Sequence, residues 1–476
     1  MTNTLSCRPC GPLLLAALLT LASACGGGGG GDGGNGASGG SGGAGASCSE
    51  ASRKQWVLDV ARDWYLFPET LPASVDLAAY PTAEDLLDAL TANAREQGKD
   101  RYFSYLTTRT AENALLGDGQ FVGFGFRNRA DEAGRVFVLD VYERSPAADA
   151  GLQRGDEIVA VDAGSGFVTV AQALAEGRSL SDLLGPAEAG VTRGLRILRA
   201  GATLDIRMSK RTVTIDPVPD AFGTAVLPLA GTTGVGYLHL RSYTAPADPQ
   251  LRSAFADFRA RGLEYFIVDL RYNGGGLVST AELIDNLFGG GRASTEVQYR
   301  IVYNAARAGQ NSTVRFQPQA QSVRPVRIAF LTTGATASAS EINVNALKPY
   351  VETAIVGSNT LGKPVGQIAF DLAGCEDRLR LVAFRTVNAD GEGDYYSGLA
   401  SSMRYACAAP DTLDAPLGSS DDSLVREAMY WLGTGSCRTL MPQASASGAS
   451  KPGFGRPPLA TPPPASEVER WLPGLE

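Results

Sequence analysis

Between residues 226 and 432, short apolar stretches with strand character alternate with stretches of helical periodicity. The segments EYFIVDL and RIAFLTT are almost continuously apolar, whereas PQLRSAFADFRARG and TAELIDNLFGG carry apolar residues at three- and four-residue steps. Alternation of strands and helices is typical of a layered α/β core, in which the two kinds of element bury their apolar surfaces against each other. We therefore predict such a core over residues 214–437.

Two regions with other periodicities precede the core. Over residues 49–116 apolar residues recur at helical spacing, which predicts an N-terminal helical region that caps the rest of the chain by packing against it. Over residues 117–213 apolar and polar residues alternate, and turn signals separate the runs, as in RVFVLDVYERSPAADAGLQRGDEIVAVDAG. This second region is predicted to be a small, mostly β module.

The two ends of the sequence have the composition of export and linker segments. The apolar run GPLLLAALLTLASA, about 14 residues long, is too short to span a bilayer and is typical of a signal peptide, here residues 1–24. The small residues before Cys25 resemble the lipobox of bacterial lipoproteins, in which this cysteine becomes acylated; a plain secretory signal is the alternative. The Gly- and Ser-rich stretch 25–48 is predicted to be a flexible tether, and the Pro-, Ser- and Gly-rich stretch 438–476 a disordered tail.

Charge and cysteine content limit the partners and cofactors. The formal net charge is −8 and no basic run is present, which argues against a nucleic-acid partner. Beyond Cys25 four cysteines remain, without a C-x-x-C pair among them, and an even number in an exported protein favours disulfides over metal ligands. We expect Cys375 to pair with Cys407 and Cys48 with Cys437, with free buried thiols as the alternative. No metal and no cofactor is expected.

Several familiar catalytic sites require residues that this chain lacks. Its single histidine, His239, lies in a strand-like alternating stretch, where a histidine is more often structural than catalytic, and one histidine excludes an H-E-x-x-H zinc site. The G-x-S-x-G pattern occurs only inside the Gly-rich tether. In GSNTLGKP, Pro364 stands where a phosphate-binding loop needs a hydroxyl residue after its lysine.

A neutral lysine is the remaining way to activate a serine. Burial lowers the pKa of a lysine, so that its amine can accept a proton. Of the six lysines, only Lys363 lies in an otherwise uncharged apolar stretch, AIVGSNTLGKPVGQIAF. The stretch GATASASE offers Ser338 as a nucleophile, although Ser338 and Glu341 also fit a helix capping box, which is a purely structural interpretation. Its neighbours Thr336 and Ser340 are expected to be packing residues.

The segment TASASE, the lysine 25 residues after its first serine, Gln367 and the upstream DLRYNGGG together resemble the C-terminal processing, or tail-specific, serine peptidases. The resemblance covers about residues 49–432 and implies a ClpP/crotonase-like α/β core joined to a PDZ domain. It implies Ser338 as nucleophile and Lys363 as general base. Gln367 would orient the lysine without the charge of a carboxylate, which would raise the pKa of the lysine.

The same resemblance implies an oxyanion hole made of main-chain N–H groups. Ala339, at the start of the predicted helix, would supply one donor, and Gly275 or Gly276 in the glycine loop the other. Two prolines depart from the family pattern: Pro349 is expected to end the helix, and Pro364 restricts the backbone beside the lysine. Neither removes a catalytic atom.

The segment SPAADAGLQRGDEIVAVDAG and the motif VGFGF resemble the PDZ domains of bacterial proteases over roughly 95 residues. In such a module an exposed strand edge can add an extended peptide strand, and glycines let main-chain N–H groups point at a terminal carboxylate. The predicted peptide-binding loop comprises Val122, Gly123, Phe124, Gly125 and Phe126. Glycines beside a strand can instead mark only a bulge or close packing.

These features predict a serine endopeptidase that cleaves exported proteins near their C-termini, with the PDZ module recognising the tail or gating the site. Its partners would be protein or peptide tails, and a lipid anchor would hold it at a membrane, facing the periplasm; inner or outer membrane and the oligomeric state stay open. One alternative is a catalytically inactive, peptide-binding scaffold lipoprotein. Another is a crotonase-fold acyl-thioester enzyme, which would not require a lysine at this spacing.

Overall fold

The computed structural model of the chain describes residues 48–441 and 474–476. The predicted signal peptide, the lipidation site Cys25 and nearly all of the predicted tether therefore lie outside the described residues. Of the predicted tail, 438–441 and 474–476 are described, and both pieces are hydrogen-bonded to folded elements. Across the described ranges, no helix has the length and apolar character needed to cross a membrane.

The N-terminal region contains two α-helices, with two short 3₁₀ helices (Pro68–Thr70 and Leu77–Ala79) between them, and then a strand. The α-helices and the strand are α1 (Glu50–Trp64), α2 (Ala83–Glu96) and β1 (Tyr105–Thr108). The apolar faces of both helices pack on buried core residues that include Leu379 and Leu381. β1 pairs antiparallel with residues 377–380 of the core, so the predicted helical region ends in a strand that belongs to a core sheet.

The next region is mostly β, as predicted. Its elements are α3 (Arg109–Glu112), β2 (Gln120–Gly123), β3 (Phe126–Ala130), β4 (Val136–Val141), α4 (Pro146–Asp149), β5 (Glu157–Asp162), β6 (Phe167–Thr169), α5 (Val170–Ala175), α6 (Leu180–Leu184), β7 (Thr192–Arg199), β8 (Ala202–Ser209) and β9 (Arg211–Thr214). The strands β3, β4, β5, β7 and β8 form one sheet in that order, with β6 on β5. β2 pairs with β9, so the chain enters and leaves the module through one antiparallel pair.

The core alternates strands and helices, which confirms the predicted α/β class. Its elements are β10 (Thr224–Leu227), β11 (Val235–His239), α7 (Ala247–Ala260), β12 (Tyr265–Asp269), α8 (Val278–Phe288), β13 (Val297–Tyr303), β14 (Ser312–Arg315), β15 (Arg327–Thr332), α9 (Ala339–Leu347), β16 (Glu352–Gly357), β17 (Val365–Asp371), β18 (Asp377–Asn388), β19 (Tyr405–Ala408) and α10 (Ser423–Thr434). The central sheet has the order β10-β11-β12-β15-β16-β19, and all its pairs are parallel except β10 with β11.

Helices cover both faces of this central sheet, as its continuously apolar strands require. Alternate strand residues such as Phe266 and Ile328 pack on one face with residues of α7, α8 and α9. Their neighbours, such as Ile267 and Ala329, pack on the other face with α10. The second sheet has the order β1-β18-β13-β14, and β17 pairs with β18.

All four cysteines expected in disulfides form them, but the pairing predicted from the sequence is wrong. The bonds join Cys48 to Cys375 and Cys407 to Cys437. After α10 the chain turns back along β19. The N–H of Ala408 donates to the oxygen of Thr439 and the N–H of Met441 to that of Ala406, and these two bonds align the return segment with Cys407. Cys375 lies in the turn between β17 and β18, beside the start of α1.

Candidate active site

Three loops meet at one edge of the central sheet. They follow the parallel strands β12, β15 and β16 and comprise residues 270–277, 333–338 and 358–364. The carboxyl ends of parallel strands lie on the same edge, which is where open α/β sheets usually bind their ligands. These loops carry the residues predicted as glycine loop, nucleophile and base.

Ser338 occupies the position just before α9, in an unusual backbone conformation. Its φ is 58° and its ψ is −118°, a region that residues other than glycine rarely adopt and that is concentrated at functional sites. The side chain is buried. The adjoining helix runs to Leu347 and stops before Pro349, as predicted.

The carboxylate of Glu341 joins the serine turn to the lysine loop. Its Oε2 accepts hydrogen bonds from the main-chain N–H of Ser338 at 3.0 Å and of Lys363 at 2.8 Å, and its Oε1 accepts one from Gly362 at 2.8 Å. The main-chain nitrogens of Ser338 and Lys363 contact the same oxygen, Oε2 of Glu341, so the two candidate catalytic segments are held side by side. Glu341 is fully buried, and burial raises its pKa whereas these hydrogen bonds lower it. The sequence suggested only its capping role.

Lys363 has the environment that a general base needs. Its side chain is only 8 % exposed, and burial lowers its pKa from 10.5 to about 8. The Nζ atom donates a hydrogen bond of 2.9 Å to Oε1 of Gln367, the residue that the family resemblance implies as its partner. It also lies 5.1 Å from the centre of the Phe103 ring. A buried amine with this pKa is partly neutral near physiological pH.

Gln367 is itself fixed by a contact from outside the core. Its Nε2 donates a hydrogen bond to the main-chain oxygen of Phe103. Because the amide nitrogen is used there, the amide oxygen is left to face Lys363. Gln367 therefore holds the amine by a neutral acceptor, without adding a charge beside it.

The N-terminal region contributes more than a packing cap. Arg101 donates hydrogen bonds to the main-chain oxygens of Leu361 at 2.8 Å and Gly362 at 2.6 Å, which brace the lysine loop. The buried carboxylate of Asp100 accepts the N–H of Phe103 at 2.8 Å and so sets the position of that residue. The sequence carried no sign of this role, since these contacts span about 260 residues of chain.

The glycine loop packs directly against the serine turn. A Cβ atom on Gly275, whose φ is 104°, would lie 2.9 Å from Cβ of Ser338 and 3.0 Å from N of Ala339, so no larger residue fits. The N–H of Gly275 donates to Oδ1 of Asn273 at 2.9 Å. The hydrogen bonds found within the described ranges do not use the N–H of Gly276 or of Ala339, the other two predicted oxyanion donors.

Histidine and metal centres have no support at this site. His239 is buried on β11, with Nδ1 3.5 Å from Asp269 and its ring centre 5.3 Å from that of Phe222, which is a packed structural environment. In the part of the chain that the structure describes, no group of three or more His, Cys, Asp or Glu residues could hold a metal ion.

The predicted peptide-binding loop, residues 122–126, ends β2 and leads into β3. Phe124 and Phe126 are buried in the core of the β module. Gly125 has a φ of 82°, and a Cβ there would lie 2.3 Å from Cβ of Ser145. The loop therefore requires glycine at this position.

Comparison with known families and structures agrees with this arrangement. Residues 234–398 match the family model Peptidase family S41, residues 52–105 match the Peptidase S41 N-terminal domain, and residues 137–163 match the PDZ domain. The crystal structure of an S41 protease from Bacteroides fragilis superposes with a TM-score of 0.62 and 25 % identity, covering 80 % of this chain and 97 % of that one.

Curated relatives carry consistent names. The carboxyl-terminal-processing protease of Synechocystis is 29 % identical over 258 residues, which are 54 % of this chain and 56 % of the relative. The chloroplastic carboxyl-terminal-processing peptidase 1 of Arabidopsis thaliana is 28 % identical over 57 % of this chain and 53 % of its own length. The carboxy-terminal processing protease CtpA of Bacillus subtilis is 23 % identical over 71 % of this chain and 67 % of its own length. The chain thus spans about half the length of the first two relatives.

Proposed function

Because the chain belongs to peptidase family S41 and carries a PDZ domain, we propose that it is a serine endopeptidase with a Ser338–Lys363 catalytic dyad. The observation that carries this proposal is the buried Lys363 amine, whose pKa is lowered to about 8 and which is hydrogen-bonded to Gln367. Glu341 supports it by bonding the main chain of both dyad residues.

The dyad performs acyl transfer in two stages. The neutral Lys363 amine takes the proton of the Ser338 hydroxyl as Oγ attacks the scissile carbonyl carbon. The resulting ammonium then gives its proton to the leaving amine, the peptide bond breaks, and an acyl ester on Ser338 remains. Water, deprotonated by the same amine, hydrolyses this ester and restores the serine. Gln367 is a positioning residue that keeps the amine in place throughout.

Two main-chain N–H groups stabilise the negative oxygen of the tetrahedral intermediate. The N–H of Ala339 lies at the start of α9, where the helix dipole adds positive potential. The N–H of Gly276 is the better second donor, since that of Gly275 is bonded to Asn273. One donor of this kind typically stabilises the transition state by about 3–4 kcal/mol.

The substrates we propose are exported proteins, cleaved near their C-termini after the PDZ module has bound the tail. The curated relatives are named for carboxyl-terminal processing, which supports this substrate class. The signal-like segment and Cys25 support export and attachment to a membrane by a lipid, on the periplasmic side.

Replacement of Lys363 by alanine tests the dyad. We expect both Lys363→Ala and Ser338→Ala to reduce cleavage of an unstructured protein such as casein by at least about 1,000-fold. Lys348→Ala, which removes a lysine paired with Glu392, is the matched control and should keep full activity. Retained activity in Lys363→Ala would reject the base assignment. Binding of peptides by an intact protein that produces no fragments would favour the inactive scaffold instead.

The pH dependence of cleavage tests the protonation state of the base. Only the neutral amine accepts a proton, so kcat/KM should rise about tenfold per pH unit below the pKa of Lys363 and level off above about 8. A profile that is flat between pH 6 and 9 would contradict a lysine base.

A further inference from the structure

The last residues of the chain, 474–476, lie along β3 of the PDZ domain as an added strand. The main-chain oxygen of Glu476 accepts hydrogen bonds from the N–H of Gly125 at 2.6 Å and of Phe126 at 3.3 Å, and the N–H of Glu476 donates to the oxygen of Phe126 at 2.9 Å. The N–H of Asn128 donates to the oxygen of Gly474 at 2.7 Å. Two of these donors, Gly125 and Phe126, belong to the loop predicted to bind peptides, and a segment of the same chain uses them.

The side chain of Glu476 contacts the opposite wall of this groove. Its Oε1 accepts a hydrogen bond of 2.6 Å from the hydroxyl of Ser181 on α6. Burial raises the pKa of this carboxyl group, while the bond to Ser181 and the positive charge of Lys210 lower it. The groove therefore offers a hydroxyl and a cation to an acidic side chain at this position.

The surroundings of Leu475 and Gly474 favour an apolar side chain at the first position and no side chain at the second. Leu475 is 1 % exposed and packs in an apolar cluster with Phe121 and Tyr142. Gly474 has a φ of 77°, and a Cβ there would lie 2.2 Å from the main-chain oxygen of Asn128. The three positions thus accept glycine, an apolar side chain and an acidic side chain, in that order.

Simple packing of a chain end would not need this set of contacts. The hydrogen bonds follow the antiparallel pattern of a β-strand, with Leu475 opposite Arg127, and strand addition of this kind is how PDZ domains hold peptides. A main-chain donor that is already bonded cannot hold a second strand. Any other peptide that uses the groove must first displace residues 474–476.

We propose that the PDZ groove selects peptides that carry glycine, an apolar residue and an acidic residue in succession, and that residues 474–476 are its resident ligand, which an incoming peptide displaces. The proposal rests on the proposed function only in treating the incoming peptide as part of a substrate. The binding itself requires neither Ser338 nor Lys363.

The test measures binding of a fluorescently labelled peptide with the sequence of residues 466–476, SEVERWLPGLE. The proteins are the Ser338→Ala full chain, which cannot consume the probe, and the same protein without residues 474–476. Fluorescence anisotropy should show at least about tenfold tighter binding to the shortened protein, because its groove is vacant. Equal affinity for both proteins, or no binding to either, would overturn the proposal.

A second variant guards against loss of folding in the shortened protein. Gly474→Ala in the full chain keeps the length but places a Cβ against Asn128, so it should release the groove as the deletion does. Its thermal unfolding temperature should stay close to that of the parent. Failure of this well-folded variant to bind the probe more tightly than the parent would count against a resident ligand.

Variant peptides test the selectivity while the protein stays unchanged. On the shortened protein, the peptide with Gly474→Ala should lose most of its affinity, and those with Leu475→Ser and Glu476→Gln should bind at least about threefold more weakly. Adding Gly-Ser after the glutamate asks whether the loop reads a chain end, and we expect weaker binding. Equal affinity for all these peptides would contradict the proposed selectivity.

The outcome is independent of the peptidase assignment. If casein cleavage does not depend on Ser338 while the peptide binds as described, the proposed function fails and this inference stands. If cleavage depends on Ser338 while the deletion leaves peptide affinity unchanged, this inference fails and the proposed function stands.

Discussion

The PDZ groove and the three loops of the candidate active site hold their key groups by different means. These three loops, residues 270–277, 333–338 and 358–364, are called the catalytic loops for their proposed role. At the catalytic loops, buried side-chain carboxylates accept main-chain N–H groups from separate segments, as Glu341 does for Ser338 and Lys363. In the PDZ groove, residues 474–476 are held mainly by strand pairing, main chain to main chain. The arrangement of the catalytic loops depends on single side-chain atoms. Binding in the PDZ groove depends instead on whether the backbone of the ligand can approach β3 closely enough to pair with it.

This difference has an energetic basis. A buried polar group that loses its partner keeps the full cost of its removal from water, about 1–3 kcal/mol, and more if it is charged. A strand-like ligand spreads its binding over several main-chain bonds, so that one side-chain contact contributes less. Substitutions should therefore act strongly at the catalytic loops and weakly in the groove, unless they fill space as a Cβ at Gly474 would.

The largest effect short of removing the dyad is expected for Glu341→Gln. The amide has the size of the carboxylate but turns one acceptor oxygen into an N–H donor, which then faces main-chain N–H groups. We expect the free energy of unfolding to fall by about 2–3 kcal/mol. A shift of the lysine loop of about 1 Å should lower kcat/KM by about 100-fold.

Glu296→Gln is the matched control, because Glu296 lies near the surface and pairs with Arg292 in the turn before β13. It should change the unfolding free energy by less than about 0.5 kcal/mol. If Glu341→Gln behaves like this control in both stability and kcat/KM, a buried carboxylate does not organise the catalytic loops and the contrast with the groove disappears.

Residues that the sequence identified at the catalytic loops share a short-range signal. Lys363 was found from the absence of other charges around it, whereas Ser338 and Gln367 were implied by the resemblance of the surrounding segments to C-terminal processing peptidases. Glu341 was visible only as the fourth residue of a capping box, because its second role depends on burial and on a loop about 21 residues away. Phe103 could not be found, since periodicity does not report contacts between distant segments.

The fold shows the same limit. The strands of the central sheet were predictable because strands covered on both faces are continuously apolar. The disulfide pairing was not, because four cysteines allow three pairings and the choice depends on how the chain returns after α10 to lie along β19. For the same reason the strand β1 was missed, as its partner β18 lies in a distant segment.

The buried amine of Lys363, the proposed general base, provides the next prediction, because its burial lowers the stability of the folded protein. In the unfolded chain its pKa is near 10.5, and in the folded protein it is about 8. Below pH 8 the folded state contains a buried positive charge, which lowers the free energy of unfolding. Between about pH 8 and 10.5 the folded protein binds fewer protons than the unfolded chain, so this destabilisation decreases as the pH rises. Lys363→Met should thus abolish cleavage yet raise the unfolding free energy at pH 7 by about 1–3 kcal/mol.

Chemical denaturation at pH 7 and pH 10 measures this gain, which should shrink at the higher pH. Lys348→Met is the control, because Lys348 pairs with Glu392 at 2.6 Å and its replacement removes a favourable contact. A Lys363→Met protein that is less stable than the parent at both pH values would show that burial of the amine does not lower the free energy of unfolding.

The smallest effect is expected in the groove, for Ser181→Ala. This change removes the hydroxyl that donates to Glu476 but leaves every main-chain bond to residues 474–476 intact. We expect the affinity of the shortened protein for the SEVERWLPGLE peptide to fall by about fivefold, which corresponds to about 1 kcal/mol. Ser209→Ala, on the outer strand β8 and bonded to Thr192, is the control and should leave the affinity unchanged. A loss of 100-fold or more in Ser181→Ala would mean that a single side chain organises the groove as Glu341 organises the catalytic loops, and the two sites would then follow the same rule.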